Sequence, residues 1–268
     1  MSIRALNSAA SGMDAMQFKL DVIANNLANA GTTAFKKSRV NFEDVYYQHI
    51  KLPGLFDSQQ RPTTTGTAVG LGTRVQSTQM DMQQGSLIDT GRNLDLAIVG
   101  QGFFQVSDEN NVIHYTRAGN FFTNANGTVV LASADRGLPL TNNEITIPQN
   151  AVEISVGQDG QVFYRESGQT QLVSAGQVQL ARFANSQGLL QRGENLYLET
   201  NSSGPPIVSV PGIDGMGVIR SSALEASNTE PVRELVDLIS NQRTFELNGQ
   251  VIQAADQSLQ LIANLRRF

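Results

Sequence analysis

Two apolar heptad rows at the start of the chain constrain its fold more than any other feature. Leucine or methionine recurs every seven residues in one row, and an adjacent row is also apolar: Leu6, Met13, Leu20 and Leu27, with Ala9, Met16 and Ile23 beside them. These rows match the a and d positions of a heptad, which predicts an amphipathic helix over residues 3–29. Asn29 and Gly31 then provide residues that tolerate the left-handed conformation in which helices commonly end.

A second long helix is predicted at the end of the chain, beginning near Thr229. Pro231 suits its first turn, where a missing backbone N–H costs little. Its apolar row is also spaced by seven residues, at Leu238, Phe245, Ile252 and Leu259, flanked by Leu235, Ile239, Ala255 and Ile262. The positions next to this row are Gln242, Gly249 and Asp256, which an isolated two-stranded coiled coil disfavours. We therefore expect both helices to retain apolar surface that only neighbouring copies of the chain can cover.

The segment that follows the first helix has no clear periodicity. Residues 32–50 are amphipathic but irregular, which leaves a helix and an extended arm as alternatives. Residues 51–73 are rich in Pro, Gly and Thr, which predicts a long loop. Because long loops inside compact domains are unusual and often functional, we expect residues 46–66 to lie extended between subunits.

From about residue 74 to residue 227 the pattern changes to short β-strands separated by glycine turns. Strands are predicted at 94–99, 103–106, 114–116, 121–123, 128–131, 144–147, 152–156, 161–164, 176–183 and 196–199, with hairpin turns at Asn126-Gly127 and Asp159-Gly160. The 114–116 and 121–123 strands are expected to pair, and residues 201–217 are predicted to form a second loop. This pattern indicates an antiparallel sheet or partial barrel.

These elements predict an α+β fold. Its long N- and C-terminal helices pair in a coiled-coil-like domain, and its centre is an antiparallel β domain. The expected divisions are residues 1–31 with 228–268 for the terminal-helix domain, 32–73 for the arm, and 74–227 for the outer β domain.

Composition excludes several classes of function. The chain has no cysteine, so disulfides and thiolate metal sites are excluded, and its net charge of −5 argues against a nucleic-acid surface. The pairs Lys36-Lys37 and Arg266-Arg267 are interpreted as helix-end residues. No apolar run reaches 18 residues, so no membrane insertion is expected. Polar residues interrupt the first helix, which argues against a cleaved secretory signal.

No catalytic or cofactor-binding constellation stands out. Gly70-Leu71-Gly72 and Gly100-Gln101-Gly102 lack the third glycine of a dinucleotide fingerprint and are interpreted as turns. His49 and His114 have no evident partner ligands, so neither a metal nor a cofactor is expected. Asp95 is the carboxylate that most invites a catalytic interpretation, although a polar residue alternating along a half-exposed strand explains it more simply. Tyr115-Thr116-Arg117 favours a strand-end packing and salt-bridge role.

Several motifs resemble the bacterial flagellar rod, hook and hook-associated proteins. They occur near the beginning, in the middle and near the end of the chain: Ala24-Asn25-Asn26-Leu27-Ala28-Asn29 with Thr32, Phe35 and Lys36; Asn93-Leu94-Asp95-Leu96-Ala97-Ile98 with Gly100, Gly102, Phe103, Phe104 and Tyr115-Thr116-Arg117; and Leu224-Glu225-Ala226-Ser227-Asn228 with Gln242-Arg243 and Asp256-Gln257. The family pattern usually has glycine where this chain has Ala34. The chain length and the 42–72 segment resemble the distal rod members of the family.

The resemblance implies a non-enzymatic axial protein that polymerises into the distal rod, a hollow shaft that transmits torque. The terminal helices then form an inner tube. The expected contact residues between subunits are Leu6, Met13, Leu20, Ile23, Asn25, Asn26, Leu27, Asn29, Leu235, Leu238, Phe245, Ile252, Leu259 and Ile262. The expected rod-specific stretch contains Tyr46, Tyr47, Pro53, Gly54, Pro62 and Gly66.

The resemblance also implies partners and a location. The expected partners are further copies of the chain, proximal rod proteins, hook or hook-cap proteins, outer ring (bushing) proteins and the flagellar export apparatus, with no nucleic acid. The expected location is the basal body across the periplasm, reached without a cleaved signal peptide. Two alternatives stay open: a proximal rod or hook subunit, and a rod-associated peptidoglycan hydrolase that uses acids such as Asp95 and Glu144.

Overall fold

A computed structural model describes residues 2–54, 64–132, 137–141 and 145–265. The fold is α+β, as predicted, with one helix at each end of the chain and a β-rich centre. The chain divides into two compact units. The terminal unit comprises residues 1–28, 38–79 and 230–268, and the β unit comprises residues 29–37 and 80–229.

The two predicted helices are confirmed. Helix α1 spans Ser2–Ala28 and helix α2 spans Pro231–Leu265, with Pro231 as its first residue. The two helices pack antiparallel, because contacting residues descend along α1 as they ascend along α2: Asn26 meets Glu234, and Met16 meets Asn241. The heptad rows encode helices of this length because they repeat without interruption by proline.

The described residues between 38 and 80 form four strands, which settles the open choice for residues 32–50 in favour of extended structure. They are β1 Ser38–Asp44, β2 Tyr47–Lys51, β3 Thr67–Gly70 and β4 Thr73–Met80. Strand β1 pairs with β4, and β2 pairs antiparallel with β3. The prediction of a loop over residues 51–73 is wrong at both ends, because Lys51 belongs to β2, residues 67–70 form β3, and Thr73 begins β4. Residues 55–63 of this predicted loop lie outside the described residues. Strand β3 has only four residues, so cross-strand pairing with β2, rather than its own periodicity, makes it a strand.

The β unit contains short strands throughout, as predicted for residues 74–227. Its strands are β5 Leu87–Asp89, β6 Leu96–Val99, β7 Phe103–Ser107, β8 Ile113–Thr116, β9 Phe121–Thr123, β10 Val129–Leu131, β11 Leu138–Pro139, β12 Ala151–Val156, β13 Gln161–Glu166, β14 Val173–Gln177, β15 Leu180–Arg182, β16 Leu190–Gly193, β17 Leu196–Leu198, β18 Ile207–Ser209, β19 Val218–Ser221 and β20 Ala223–Glu225. A short 3-10 helix spans Ser186–Gly188.

A six-stranded antiparallel sheet in the order β16-β17-β8-β7-β15-β18 is the largest sheet. Two three-stranded sheets, β11-β10-β9 and β12-β13-β14, and the pairs β19-β6 and β20-β5 accompany it. The predicted hairpin turns are confirmed: Asn126-Gly127 connects β9 to β10, and Asp159-Gly160 connects β12 to β13.

Four predictions for the β unit are wrong in detail. Strand β8 pairs with β7 and β17 rather than with β9, so residues 117–120 connect two different sheets. The predicted strand 176–183 is divided between β14 and β15, and the predicted loop 201–217 contains β18. Residues 145–147 make one isolated bridge instead of a strand. Each error concerns which segments pair, and pairing is decided by partners distant in sequence.

Strand β7 divides the core of the β unit into two clusters. Phe104 packs edge-on against Phe121 in the larger cluster, with ring centroids 5.2 Å apart. Phe103 points to the other face and contacts Phe183 and Tyr197, with centroids 6.0 and 5.8 Å away. Adjacent residues of a strand face opposite sides, so the Phe103-Phe104 pair holds both clusters together.

The turn after α1 uses a different left-handed residue from the one predicted. Neither Asn29 nor Gly31 has a positive φ, whereas Ala34 has a φ of +58° and is completely buried. Its N–H donates to the Glu225 carbonyl at 2.8 Å. Glycine adopts this conformation without steric cost, whereas alanine does not. Ala34 is held there because its methyl group is part of the larger core cluster.

Candidate assembly surface

Polar side chains lie at intervals along the buried seam between α1 and α2. Asn26 is 3% exposed; its amide donates to Glu234 at 3.3 Å and to the Ser38 carbonyl at 2.8 Å, and its oxygen accepts from the Ser38 N–H at 3.0 Å. One heptad along α2 from Glu234, Asn241 donates to the Met16 carbonyl at 2.7 Å. One heptad further, Asn248 lies against Gly12. The seam is therefore mixed polar and apolar.

The predicted contact residues of the helices fall into three classes of exposure. The buried residues are Ile23 and Asn26, and the exposed residues are Asn25, Leu235, Phe245 and Ile262. The half-buried residues are Leu6, Met13, Leu20, Leu27, Asn29, Leu238, Ile252 and Leu259. In the adjacent α2 row, Glu234, Asn241 and Ala255 are buried, whereas Gln242 and Asp256 are exposed. The row of α2 that is buried beside Leu238 therefore contains Glu234, Asn241 and Ala255. It lies one residue earlier in the chain than the predicted row of Gln242, Gly249 and Asp256.

Helix α2 also carries large apolar residues on the side facing away from α1. Because an α-helix turns about 100° per residue, Val232, Val236 and Ile239 lie opposite Asn241. They are 76%, 60% and 50% exposed, respectively. Leu247 and Leu261 continue this side further along the helix. We call these five residues the outer face of α2. A helix that is apolar on two opposite sides buries only one of them within its own chain.

A second exposed apolar surface lies on the hairpin arm, which we define as β2, β3 and the adjoining described residues (46–54 and 64–70). Tyr46, Tyr47 and Ile50 are 86%, 54% and 63% exposed. The rod-specific residues Pro53, Gly54 and Gly66 are also exposed, while Pro62 lies outside the described residues. Exposed apolar patches of this kind mark interaction surfaces.

Helix α1 supports the base of the hairpin arm. The hydroxyl of Ser11 accepts from the Thr73 N–H at 3.3 Å and donates to the Ser8 carbonyl at 2.9 Å. Gly72 has a φ of +115°, and a Cβ there would lie 2.1 Å from the Ser11 hydroxyl oxygen. Its carbonyl accepts from the Val45 N–H at 2.9 Å. Only glycine fits both this conformation and this close approach, so the arm leaves α1 at a defined point.

The β unit contains a buried cluster of three charges centred on Glu225. Lys36 donates to one carboxylate oxygen at 2.6 Å, and Arg117 donates to the other at 3.3 Å. All three side chains are at most 6% exposed. Lys36 also donates to the Gln83 carbonyl, Arg117 to the Gly100 carbonyl, and Glu225 accepts from the Gly85 N–H. Burial lowers the pKa of Lys36 from its ordinary 10.5, although Glu225 opposes the shift.

Asn228 extends this network to the segment that follows α1. Its oxygen accepts from the Lys37 N–H at 2.8 Å, and its amide donates to the carbonyls of Asp81 and Gln83 at 2.8 and 3.2 Å. Its own N–H donates to the Phe35 carbonyl. The motif residues near the beginning, the middle and the end of the chain therefore meet in one place. Their shared role is to attach residues 29–37 to the rest of the β unit.

Two sequence interpretations of charged residues require correction. Lys36 is a buried partner of Glu225 rather than a helix-end residue, whereas Arg266-Arg267 lie outside the described residues. Asp95 is 2% exposed and precedes β6, so it is not an exposed strand residue; it accepts from the Thr90 hydroxyl at 2.6 Å. The predicted salt-bridge role of Arg117 is confirmed. Neither Lys36 nor Glu225 was predicted to be buried. The sequence signal that could have marked them as important is that both belong to the family motifs.

The positions of the two acidic residues do not support the alternative of a peptidoglycan hydrolase. Asp95 is enclosed by the fold, and Glu144 lies outside the described residues. In the described part of the chain, no group of three or more histidine or acidic side chains is arranged to hold a metal ion. Among the same residues, no helix combines the length and apolarity that a membrane span requires.

Comparison with known proteins gives three family matches along the chain. Residues 6–36 match the flagella basal body rod protein family, residues 97–164 the flagellar hook protein FlgE/F/G D1 domain, and residues 220–265 the C-terminal family of flagellar basal body rod FlgEFG proteins. These matches coincide with α1 and the turn after it, with the centre of the β unit, and with β19, β20 and α2. They indicate no catalytic family.

Individual relatives match over nearly the whole chain. The chain is 42% identical to the flagellar basal-body rod protein FlgG of Buchnera aphidicola subsp. Acyrthosiphon pisum over 95% of this chain and 96% of the relative. It is 39% identical to FlgG of Bacillus subtilis over 99% and 100%. The flagellar hook protein FlgE of Escherichia coli is 24% identical over an alignment of 421 residues, covering 98% of this chain and all of the relative.

Proposed function

Because the chain belongs to the flagellar basal-body rod protein family, we propose that it is a structural axial subunit that polymerises into the distal rod of the bacterial flagellar basal body. The observation that carries this proposal is the outer face of α2, where Val232, Val236 and Ile239 stay exposed although α1 already covers the opposite side. Neighbouring copies cover such a face in an open helical array, because heterologous contacts that do not close make tubes.

In this proposal the two terminal helices pair in coiled-coil fashion and line the inner tube. The half-buried residues of the seam, such as Leu20 and Leu259, contact both the partner helix and the next subunit. The exposed predicted residues, Leu235, Phe245 and Ile262, make contacts between subunits only. The expected domain divisions at residues 31, 73 and 227 are part of the same proposal.

The rod is favoured over the hook by length as well as identity. Alignments with the FlgG relatives span 255–267 residues, close to the 268 residues of this chain. Alignment with the hook protein needs 421 positions, so the hook protein carries long segments that this chain lacks. We propose proximal rod, hook or hook-cap and outer ring proteins as neighbours. We also propose that the chain crosses the periplasm as part of the basal body and arrives through the flagellar export apparatus.

The proposed function is tested by polymerisation of the purified chain. We expect straight hollow rods in electron micrographs above a threshold concentration, because the cost of ordering each subunit is overcome only when several apolar contacts form together. The same solution is assayed for muramidase activity against peptidoglycan. Polymers without activity agree with the proposal, whereas a soluble chain that cleaves peptidoglycan would contradict it.

A second test concerns the hairpin arm, which we propose stiffens the rod by bridging subunits. Val45 and Gly72 are hydrogen-bonded neighbours at the base of the arm, so a Gly-Ser linker can replace residues 47–70 without separating β1 from β4. We expect this variant to polymerise into curved or flexible tubes, measured as curvature in electron micrographs. Replacing only Tyr46 and Tyr47 with serine keeps the arm backbone and removes two of its exposed aromatic side chains. Straight rods from the linker variant would reject the role of the arm.

A further inference from the structure

Asn241 has a buried side chain, and the stability of the folded chain does not explain why an asparagine occupies this position. It is 2% exposed, its amide donates to the Met16 carbonyl at 2.7 Å, and its side-chain oxygen has no partner among the described residues. A buried acceptor without a partner lowers stability, because the group has lost its hydrogen bonds to water. An apolar residue of similar size avoids that cost. The amide therefore requires an explanation other than the strength of the seam.

The apolar pattern of the two helices does not by itself select one register. Apolar residues recur at seven-residue spacing on α1, at Leu6, Met13, Leu20 and Leu27, and on α2, at Leu238, Phe245, Ile252 and Leu259. If one helix slides by seven residues, these side chains again meet similar side chains. Such degeneracy matters for two long helices that come from opposite ends of one chain and also expose apolar faces to other copies.

The α2 row of the seam changes along its length, with two asparagines at its centre. Glu234, Asn241, Asn248 and Ala255 occupy successive positions of the α2 row, and their neighbours on α1 differ as well. Glu234 meets Asn26, and Asn248 meets Gly12, where a Cβ would lie 3.1 Å from the Asn248 amide nitrogen. A seven-residue slide removes Asn26 from Glu234 and moves the Asn241 amide away from the Met16 carbonyl. The slide that brings Glu234 to the Met16 carbonyl offers that carbonyl a side chain without an amide donor, which is costly. In the opposite slide Asn248 takes the place of Asn241, and the loss of the Asn26–Glu234 contact opposes it.

We propose that Asn241 is a positioning residue that fixes the register of α1 against α2, with the Asn26–Glu234 pair as its second contact. A single buried asparagine sets the register of paired helices in this way at some expense in stability. The register decides which residues of α2 form its outer face, and so which surface the chain offers to a neighbour. The proposal concerns the pairing within one chain and does not depend on the proposed function.

The absence of cysteine from the chain makes the register directly measurable by disulfide trapping. Gly12→Cys with Asn248→Cys reports the native register, because these two residues are in contact. Ala5→Cys or Lys19→Cys with Asn248→Cys reports a slide of one heptad in either direction. Each pair is placed in the full chain with Asn241 and in the Asn241→Leu variant. The chain is oxidised at low concentration, and intramolecular products are separated by electrophoresis.

With Asn241 present, we expect a disulfide only in the native-register pair. In Asn241→Leu, we expect the native-register disulfide to fall and a shifted-register disulfide to appear, with no loss in the urea midpoint of unfolding. Gln242→Leu adds the same side chain at an exposed position and is expected to leave the native pattern unchanged. An Asn241→Leu chain that keeps only the native-register disulfide would overturn the proposal. So would an Asn241→Leu chain with a lower urea midpoint, because Asn241 would then act through stability.

Discussion

Replacing Glu225 with leucine is expected to lower the free energy of unfolding of the β unit by about 3–5 kcal/mol, because removal of one partner leaves buried charges uncompensated. Lys36 and Arg117 would both lose their counter-charge, and the Gly85 N–H would lose its acceptor. The loss would be measured by urea unfolding of the monomeric chain, followed by circular dichroism. It is the largest effect that we expect from any single side chain of the β unit.

Two control variants separate charge from packing in this experiment. Glu153→Leu also removes a glutamate that pairs with an arginine, but the side chains of Glu153 and Arg165 are 54% and 40% exposed, so a change below about 1 kcal/mol is expected. Replacing Lys36, Arg117 and Glu225 together with methionine, leucine and leucine removes all three charges, and we expect it to recover most of the lost stability. If Glu225→Leu and Glu153→Leu had equal effects, the buried cluster would not be a stabilising element.

The Glu225→Leu variant also has a predicted pH dependence. The pKa of Lys36 is already lowered by burial, and loss of Glu225 removes the main attraction that opposes this shift. Above the lowered pKa, the unfolded state binds more protons than the folded state, so stability rises with pH until the unfolded value of 10.5 is passed. We expect the deficit of the variant to become smaller as the pH rises towards 10.5, whereas Glu153→Leu should show no such recovery.

The double substitution Val236→Asp with Ile239→Asp is expected to raise the threshold concentration for polymerisation by at least about 100-fold. Each residue loses the roughly 1.5–3 kcal/mol that burial of an aliphatic side chain contributes, and about 1.4 kcal/mol corresponds to a factor of ten. Both side chains are at least half exposed in the single chain, so the monomer should keep its stability within about 0.5 kcal/mol. Sedimentation across a concentration series measures the threshold.

The matched control for this prediction changes two exposed apolar residues of the β unit by the same chemistry. Val152→Asp with Leu172→Asp adds the same charge at positions that are 67% and 55% exposed. We expect this control to polymerise near the wild-type concentration. Equal losses in the two double variants would mean that added charge, rather than the outer face of α2, controls assembly.

The buried cluster gives a physical meaning to motifs that are far apart in the sequence. Lys36 follows the first helix, Arg117 follows β8, and Glu225 ends β20, yet they form one hydrogen-bonded group. Together with Asn228, they tie residues 29–37 to the β unit. These residues are therefore needed to organise the β unit itself, whereas the contact surfaces on the helices and the arm carry the proposed assembly.

Much of the architecture could be predicted from the sequence. Both helices were placed within about two residues of their observed limits, which is the usual uncertainty of helix ends. The hairpin turns at Asn126-Gly127 and Asp159-Gly160 were also predictable, because those residue pairs favour tight turns on their own. The family resemblance was carried by short motifs that are visible without any structure.

The sequence did not reveal which segments would become partners. It suggested a loop where β3 pairs with β2, a hairpin where β8 and β9 belong to different sheets, and a glycine or asparagine helix stop where Ala34 takes the left-handed conformation. Ala34 is held in that conformation by core packing and by its bond to Glu225, neither of which has a local signal.

The terminal helices and the charge cluster illustrate the division between sequence and tertiary structure. The sequence alone determined the helices, because a heptad repeat is a pattern among residues that are close together in the chain. Only the tertiary structure decided that Lys36 is buried, because its partner Glu225 lies 189 residues away in the chain. A charged side chain is buried only where an oppositely charged partner lies beside it. The fold of the whole β unit determines whether that partner comes close.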